Sequence, residues 1–267
     1  MIAEFNDISE PRPGQPLVVP LQSINPTGVF ANGYQTVPIL CYHRFGADEG
    51  KMVVSPKAFA QQMEFLKRNG YRPVRLADLA GFLQGNQALP KRAVVLTMDD
   101  GYASMYHHAY PVLKQYGFPA TVFVYTDFIG ARDALTWDQM REMVTSGLVD
   151  IQAHSKTHSS LTVRSQGETE AHYRQRVNAE ATTPREILQH KLRVKISAFA
   201  YPYGDTSGAV MEQLARANYK MALTVDVGGN PFFTPPLLLR RTMILGDQDD
   251  LESFKARLQV FSSVDLR

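Results

Sequence analysis

The sequence predicts an α/β fold in which parallel strands form a closed or nearly closed barrel. Two observations carry this prediction. Short apolar runs alternate with segments of helical periodicity along most of the chain, and this alternation is typical of βαβ units with a parallel sheet. About seven or eight strands fall within about 210 residues, a density that favours a barrel over an open sheet.

The elements of the first half follow from apolar runs and from helix-capping residues. A buried strand is predicted at 37–42. The next helix begins after Ser55, because serine is a favoured N-cap and Pro56 suits the first helical turn. The further elements are a strand at 93–98, a helix at 104–116, a strand at 120–125, a helix at 136–145 and a strand at 149–153.

The second half begins with a long polar helical stretch at 168–192. Pro184 is a candidate break in it, because proline lacks an amide proton. The remaining elements are a strand at 196–201, a helix at 209–217, a strand at 221–225, a β run at 237–244 and a closing helix at 250–260.

The amino-terminal residues 1–36 differ from the rest of the chain. They contain five of the 16 prolines and show little periodicity. We therefore expect an irregular arm, with one short strand at 17–19, ahead of a compact domain at 37–267.

Composition and charge exclude several classes of protein. The 28 basic and 26 acidic side chains leave a formal net charge of +2, whereas nucleic-acid-binding proteins usually carry a clustered basic excess. No apolar stretch is long enough to span a bilayer. The single cysteine, Cys41, cannot form a disulfide within the chain. The first residues lack the features of a signal peptide, so we expect either a cytoplasmic protein or part of a longer chain.

Two pairs of polar residues follow predicted strands, at the sheet edge where parallel α/β proteins bind ligands. Asp99 and Asp100 directly follow one strand, and they either cap the next helix or belong to a site. His154 and His158 follow another, and they share one face if this segment becomes a helix, with two surface histidines as the alternative. Two histidines and one aspartate from separate strands would form an open metal site of the catalytic type.

Three further positions are weaker candidates. The segment that contains Pro202 and Tyr203 is either a plain turn or a rigid turn that aims a backbone N–H at a developing oxyanion. His43 follows the first strand and is either a structural histidine or a proton donor. Trp137 is either a core residue or a wall of the cleft on which a sugar ring could stack.

These motifs together resemble the polysaccharide deacetylase family, also described as the NodB homology domain or carbohydrate esterase family four. The resemblance covers about residues 37–245 and implies a NodB-like fold, a distorted (β/α) barrel with about seven parallel strands. Its motifs are Thr97-Met98-Asp99-Asp100-Gly101, where the family has T-F-D-D-G, His154 to His158, where it has H-[ST]-x-x-H, Phe199-Ala200-Tyr201-Pro202-Tyr203-Gly204, and Leu239-Arg240-Arg241-Thr242-Met243-Ile244.

The resemblance also implies roles for individual residues. Asp99 takes the position of the family's general base. Asp100, His154 and His158 take the positions of the ligands to a divalent metal, most often Zn²⁺, with Co²⁺ or Ni²⁺ as alternatives. The backbone N–H of Tyr203 would help the metal to stabilise the oxyanion.

Two departures from the family pattern concern catalysis. The third motif usually begins with an arginine that orients the base, but Ala200 stands here, and Arg241 is a candidate replacement for that charge. The last motif often carries a histidine as general acid, but Arg240 or Arg241 occupies the region, so His43 is the best candidate acid. A histidine after the first strand resembles the branch of the family that deacetylates poly-β-1,6-N-acetylglucosamine in biofilms.

The implied function is metal-dependent hydrolysis of N-acetyl groups from a polymer of N-acetylglucosamine, an exopolysaccharide or a cell-wall glycan, with release of acetate. Peptidoglycan, chitin oligomers or a small acyl amide are alternative substrates. A catalytically dead glycan-binding module on the same fold is the alternative from another class.

The amino-terminal arm carries a second, fainter resemblance. Residues 2–8 and 14–20 are similar to the second half of a LysM module, a binder of cell-wall glycans. We therefore expect a longer exported protein that acts in the periplasm or outside the cell, with its signal sequence absent from this sequence. If Met1 is the native start, the expected location is the cytoplasm.

Overall fold

A curled sheet of parallel strands organises the molecule. The computed structural model describes residues 6, 10, 12–19, 25–47, 50–248 and 250–265. Its strands are, in chain order, β1 (Val29–Phe30), β2 (Gly33–Gln35), β3 (Ile39–Tyr42), β4 (Arg44–Phe45), β5 (Val53–Val54), β6 (Arg72–Pro73), β7 (Ala93–Met98), β8 (Ala120–Val124), β9 (Val149–Ala153), β10 (Ala198–Ala200), β11 (Met221–Leu223), β12 (Thr242–Met243) and β13 (Phe261–Ser263).

The α-helices cover the outside of this sheet. They are α1 (Pro56–Arg68), α2 (Leu76–Leu83), α3 (Tyr110–Tyr116), α4 (Trp137–Thr145), α5 (Glu170–Leu192), α6 (Gly208–Arg216) and α7 (Leu251–Ala256). Two of them begin where the sequence predicts, because Ser55 Oγ accepts a hydrogen bond from Ala58 N and Thr136 Oγ1 accepts one from Gln139 N.

The main sheet has the strand order β11-β10-β9-β8-β7-β3-β12, and every neighbouring pair in it is parallel. Leu239, shortly before β12, forms a parallel bridge with Leu223 in β11. This bridge links the two edges of the sheet, which therefore curls towards closure. The prediction of an α/β fold with about seven parallel strands in a barrel-like arrangement is confirmed.

Alternation along the strands creates two hydrophobic clusters. Residues on the outer face of the sheet pack under the helices and form the larger cluster. The inner face contributes a smaller cluster inside the curl, which includes Ile39, Val95, Phe123, Leu223 and Leu239. Thr97 and Asp99 follow Val95 on this inner face, and Arg241 follows Leu239, so the apolar interior lies directly beneath the candidate site.

The amino-terminal arm differs from the prediction. Residues 17–19 form no strand, whereas β1 and β2 form a hairpin within the predicted arm. This hairpin pairs with β13 from the other end of the chain in an antiparallel sheet. The closing helix predicted at 250–260 ends at Ala256 for the same reason, because the chain must turn back to supply β13.

Two helices also differ from the expected pattern. The segment predicted at 104–116 begins with a π-helical turn at Met105–Ala109 before α3. The long helix α5 continues through Pro184. Its buried face, which includes Ala181 and Leu188, packs against the main cluster, and this packing outweighs the one backbone hydrogen bond that proline removes.

No helix in the part of the chain that the structure describes is long and apolar enough to cross a membrane. Most of residues 2–8, and residue 20, lie outside the described residues. The LysM resemblance and the division of the chain after residue 36 therefore stay predictions.

Replacement of Gly33 by alanine tests the terminal sheet. Gly33 has a φ of 144°, and a Cβ there would lie 2.1 Å from the Ser262 carbonyl oxygen in β13. We expect Gly33→Ala to lower the free energy of unfolding by about 1–3 kcal/mol. Gly147→Ala is the control, because Gly147 also has a positive φ but has open space around it. Denaturant titrations in which Gly33→Ala costs no more than Gly147→Ala would contradict the close pairing of β2 and β13.

Candidate active site

The polar residues predicted from the sequence meet at the carboxyl ends of the strands. His43 follows β3, Asp99 and Asp100 follow β7, and His154 follows β9. Because these strands are parallel members of one curled sheet, with β8 between β7 and β9, three separate segments of the chain reach one point above the inner cluster.

Asp99 and Arg241 form a buried ion pair at this point. Asp99 is 2% exposed and Arg241 is fully buried. Arg241 Nη1 donates a hydrogen bond to Asp99 Oδ1 at 2.7 Å, and Arg241 Nε donates to the Thr224 carbonyl at 2.8 Å. The guanidinium lies 5.7 Å from the centre of the Phe123 ring. Arg241 is thus fixed from three sides and holds one oxygen of Asp99 in place.

The charge of Arg241 also controls the ionisation of Asp99. Burial alone would raise the pKa of Asp99, but the charge of Arg241 and its hydrogen bond hold this pKa well below its ordinary value. Asp99 is therefore an ionised carboxylate at neutral pH. Its second oxygen, Oδ2, faces His154 Nε2 at 3.8 Å.

Asp100, His154 and His158 form a cluster whose three ligand atoms lie within 4.8 Å of one another. Asp100 Oδ1 lies 3.4 Å from His154 Nε2 and 3.3 Å from His158 Nε2. His154 Nδ1 lies 2.8 Å from the Ala200 carbonyl, so this nitrogen carries the proton and Nε2 has a free lone pair.

The cluster fits a divalent metal ion. Asp100 Oδ1 is buried and forms no hydrogen bond with any described residue. Ligand atoms about 2.0–2.1 Å from a tetrahedral zinc lie about 3.3 Å apart, which agrees with the spacing from Asp100 to each histidine. Two imidazole nitrogens and one carboxylate oxygen are a donor set that zinc, cobalt or nickel accepts.

The geometry of the two histidines differs from the prediction. Residues 154–158 form no helix, so His154 and His158 do not share a helical face. The chain reverses instead through positive φ angles of 72° at Ser155 and 61° at His158, and Ser155 Oγ accepts a hydrogen bond from His158 N. Asp100 also has a positive φ, 74°. Such angles are strained for residues with side chains and cluster at functional sites.

A buried carboxylate that the sequence analysis missed supports this loop. Glu180 in α5 is 4% exposed. It accepts hydrogen bonds from Lys156 N at 2.8 Å, Thr157 N at 2.9 Å and Thr157 Oγ1 at 2.7 Å. These three donors lie between the two histidines. Nothing in the local sequence distinguishes Glu180 from the exposed residues of the same polar helix.

His43 and Cys41 lie on the other side of Asp99. Cys41, His43 and Asp99 each offer one ligand atom, and these three atoms lie within 4.8 Å of one another. Burial lowers the pKa of His43 below its ordinary value, although the charges of Asp99 and Asp100 act in the opposite direction. Burial raises the pKa of the Cys41 thiol, which is therefore a neutral group packed against the ion pair.

Pro202 and Tyr203 belong to a tight turn at Pro202–Gly204, directly after β10. Tyr203 has a φ of 60°, and its side chain is 62% exposed. The Tyr203 ring lies 4.9 Å from the His158 ring, so the turn borders the three-residue cluster. A Cβ on Gly204 would lie 2.7 Å from Val225 N, so only glycine allows this close approach.

Trp137 is the first residue of α4 and packs, partly buried, against the main hydrophobic cluster. The segment before it is tied to the site, because Leu135 N donates a hydrogen bond to the Gly101 carbonyl at 2.8 Å. Contact between Trp137 and a sugar stays a prediction.

Comparison with known proteins agrees with this geometry. The sequence model described as polysaccharide deacetylase matches residues 86–222, just over half of the chain. The poly-beta-1,6-N-acetyl-D-glucosamine N-deacetylase of Escherichia coli (strain K12) is 30% identical over 216 residues, which cover 68% of this chain and 32% of that protein. The chain thus spans about a third of the length of this relative.

Two solved structures are similar over most of the chain. The deacetylase PplD of Streptococcus pyogenes, in complex with acetate, has a TM-score of 0.75 and 28% identity, and the match covers 84% of this chain and 98% of that chain. IcaB from Ammonifex degensii has a TM-score of 0.74 and 28% identity, and the match covers 85% of this chain and 99% of that chain. The distorted (β/α) barrel expected from the sequence is therefore confirmed.

Replacement of Glu180 by glutamine tests the support of the ligand loop. Glutamine removes the negative charge and leaves one acceptor oxygen for the three donors, so we expect Glu180→Gln to weaken Zn²⁺ binding about 10–100-fold. Glu186→Gln, at an exposed position of the same helix, should bind Zn²⁺ as the wild type does. Competition with a chelating dye measures the affinity, and thermal unfolding of the metal-free proteins checks the fold. Folded Glu180→Gln protein with affinity within twofold of the wild type would exclude this role.

Proposed function

The chain belongs to the polysaccharide deacetylase family, and from this premise we propose that it hydrolyses N-acetyl groups of a polymer of N-acetylglucosamine in a metal-dependent reaction. The observation that carries the proposal is the pair of adjacent aspartates with two different partners. Arg241 holds Asp99, and His154 and His158 face Asp100. One carboxylate is thus left free to accept a proton beside a site for a metal ion.

We assign Asp100, His154 and His158 as the ligands of a divalent metal ion, most readily Zn²⁺, with Co²⁺ or Ni²⁺ as alternatives. When bound, this ion supplies Lewis acidity towards the carbonyl oxygen and lowers the pKa of a water molecule. Three protein ligands leave positions open for both.

Asp99 is the proposed general base. It is ionised, and Arg241 fixes one of its oxygens, so the other is available to a water molecule at the neighbouring cluster. As the water attacks the acetyl carbonyl carbon, its proton passes to Asp99. The backbone N–H of Tyr203, next to Pro202, is the proposed donor to the resulting oxyanion. Arg241 is a positioning residue in this scheme.

His43 is the proposed general acid. The carbon–nitrogen bond breaks only when the leaving amine gains a proton. Because burial lowers its pKa, His43 is neutral at rest, so it must first receive a proton, and Asp99 is the ionisable neighbour that holds one at this stage. The products are acetate, which gains the oxygen of the water, and a glucosamine unit, whose amine gains a proton from it.

The proposed substrate class is argued from the names of similar proteins. The Escherichia coli relative is named for poly-β-1,6-N-acetylglucosamine, and the Streptococcus pyogenes structure holds acetate, the product expected from an N-acetyl group. We propose an exopolysaccharide of this kind as the substrate, ahead of peptidoglycan, chitin oligomers or a small acyl amide. We therefore also propose that the reaction takes place in the periplasm or outside the cell.

Acetate release from defined substrates tests the proposed function. The purified chain, with its metal content measured, is incubated with β-1,6-linked and β-1,4-linked N-acetylglucosamine oligomers and with peptidoglycan fragments. We expect acetate from the β-1,6 series, loss of activity after treatment with a chelator, and recovery on addition of Zn²⁺. If the protein binds no divalent metal and releases no acetate from any substrate, it is a binding module and not an enzyme.

Substitutions at Asp99 and at His154 should separate metal binding from turnover. Asp99→Asn keeps an oxygen that can accept the hydrogen bond from Arg241 but cannot accept a proton, so we expect bound metal with turnover reduced at least about 10²-fold. His154→Ala removes a ligand, so we expect loss of metal and of activity together. Metal analysis and acetate assays measure both. Loss of metal from folded Asp99→Asn would mean that Asp99 is itself a ligand.

Replacement of His43 by alanine tests the general acid. General acid catalysis contributes about 10²–10⁴-fold to a rate, so we expect kcat to fall by a factor in this range while the metal stays bound. His190→Ala, at an exposed position of α5 away from the site, is the control. If kcat of His43→Ala stays within a fewfold of the wild type, another group protonates the amine.

A further inference from the structure

A cleft of about 410 Å³ lies beside the candidate active site. Arg44, which directly follows His43, lines its wall together with Tyr102, which follows Asp100 by two residues. Arg132 and Asp133 line another part of it. The backbone fixes this wall, because Ala103 N donates a hydrogen bond to the Asp133 carbonyl at 2.8 Å. The volume is within the range of sites for small ligands.

Among the described residues that line the cleft, basic side chains outnumber acidic ones. The Arg44 guanidinium is half-buried and lies 3.9 Å from the centre of the Tyr102 ring. Within the described ranges, neither Arg44 nor Arg132 forms an ion pair with a carboxylate. Two guanidinium groups therefore stand against the one carboxylate of Asp133. His107 and His108 also line this cleft.

Aromatic rings connect the cleft to the metal ligands. The Tyr102 ring lies 5.4 Å from the Phe128 ring, Phe128 stacks on Tyr125 at 5.0 Å, and Tyr125 lies 5.2 Å from the His158 ring. A single wall of rings thus runs from Arg44 to His158. Aromatic rings with a polar edge pack against the apolar faces of sugar rings, so a chain that reacts at the metal site can extend along this wall.

We propose that this cleft, which Arg44, Tyr102 and Arg132 define, binds the sugar unit next to the reacting one and selects a neutral N-acetylated unit over a glucosamine unit. This inference rests on the proposed function. Each turnover creates an amine that is an ammonium ion near neutral pH. The same polymer therefore offers neutral and cationic neighbours, and the two differ in charge where the described lining of the cleft carries two guanidinium groups against one carboxylate.

The expected discrimination follows from the charges. Two unit charges about 6 Å apart near a protein surface, at an effective dielectric constant of about 40, repel each other enough to change binding about tenfold. Salt screens such repulsion. A deacetylated unit in the cleft should therefore slow reaction at its neighbour, and successive reactions should leave the product amines spaced along the chain.

Three trisaccharides of β-1,6-linked sugars test the proposal. One is fully N-acetylated, and the other two carry a single glucosamine unit at either the reducing or the non-reducing end. Acetate release from the central unit is followed by mass spectrometry with the metal-loaded protein. We expect kcat/KM for the central unit to be about tenfold lower in one of the two glucosamine isomers, and this difference should shrink at high ionic strength. Equal rates within twofold for all three substrates would overturn the proposal.

Variants identify the groups responsible. The discrimination should fall to about twofold in the double variant Arg44→Met with Arg132→Met, which removes both charges but retains unbranched side chains. Arg216→Gln is the control, because Arg216 lies exposed on α6 and pairs with Glu212, so discrimination should stay as in the wild type. Undiminished discrimination in a folded, active double variant would overturn the assignment, and Arg132→Met alone provides the same comparison if the double variant fails to fold.

The two proposals fail in different ways. If the fully acetylated trisaccharide and longer oligomers release no acetate, the proposed function itself is wrong. If they release acetate and neither glucosamine isomer reacts more slowly, the function stands and the role of the cleft is excluded.

Discussion

The buried ion pair between Asp99 and Arg241 is the interaction on which the candidate site depends. A carboxylate and a guanidinium without contact to water each cost several kcal/mol in desolvation. Here Arg241 Nη1 donates to Asp99 Oδ1, while Nε donates to Thr224 and the guanidinium lies over Phe123. Each charge therefore keeps the other in place. Removal of either one would leave a buried charge without compensation at the point where the proposed chemistry occurs.

The same pair links the chemistry to the closure of the sheet. Leu239 bridges to β11, and Thr242 and Met243 pair with β3. Arg241 thus lies between the residue that pairs with β11 and the residues that pair with β3, in the segment that connects the two edges of the sheet. Asp99 extends β7, whose neighbour is also β3. The curl of the sheet therefore brings together two charges that are 142 residues apart in the chain, so the fold brings Arg241 to the base.

Sequence reasoning predicted the fold class, the adjacent aspartates and the two histidines, because each of these follows a recognisable apolar strand. The helix that would place His154 and His158 on one face does not form, since the backbone there reverses through positive φ angles that no periodicity reveals. Glu180 was missed because its three partners lie 23 and 24 residues away in a loop. The β1–β2–β13 sheet was missed because very short strands from opposite ends of the chain pair there.

A double-mutant cycle on the ion pair, in metal-free protein at neutral pH, tests most directly whether Asp99 and Arg241 depend on each other. We expect Arg241→Met and Asp99→Leu each to lower the free energy of unfolding by about 3–5 kcal/mol, because each leaves one buried charge. The double variant should lose much less than the sum, with a coupling energy of at least about 2 kcal/mol. Single losses that add to within about 0.5 kcal/mol in the double variant would show that the two charges are independent.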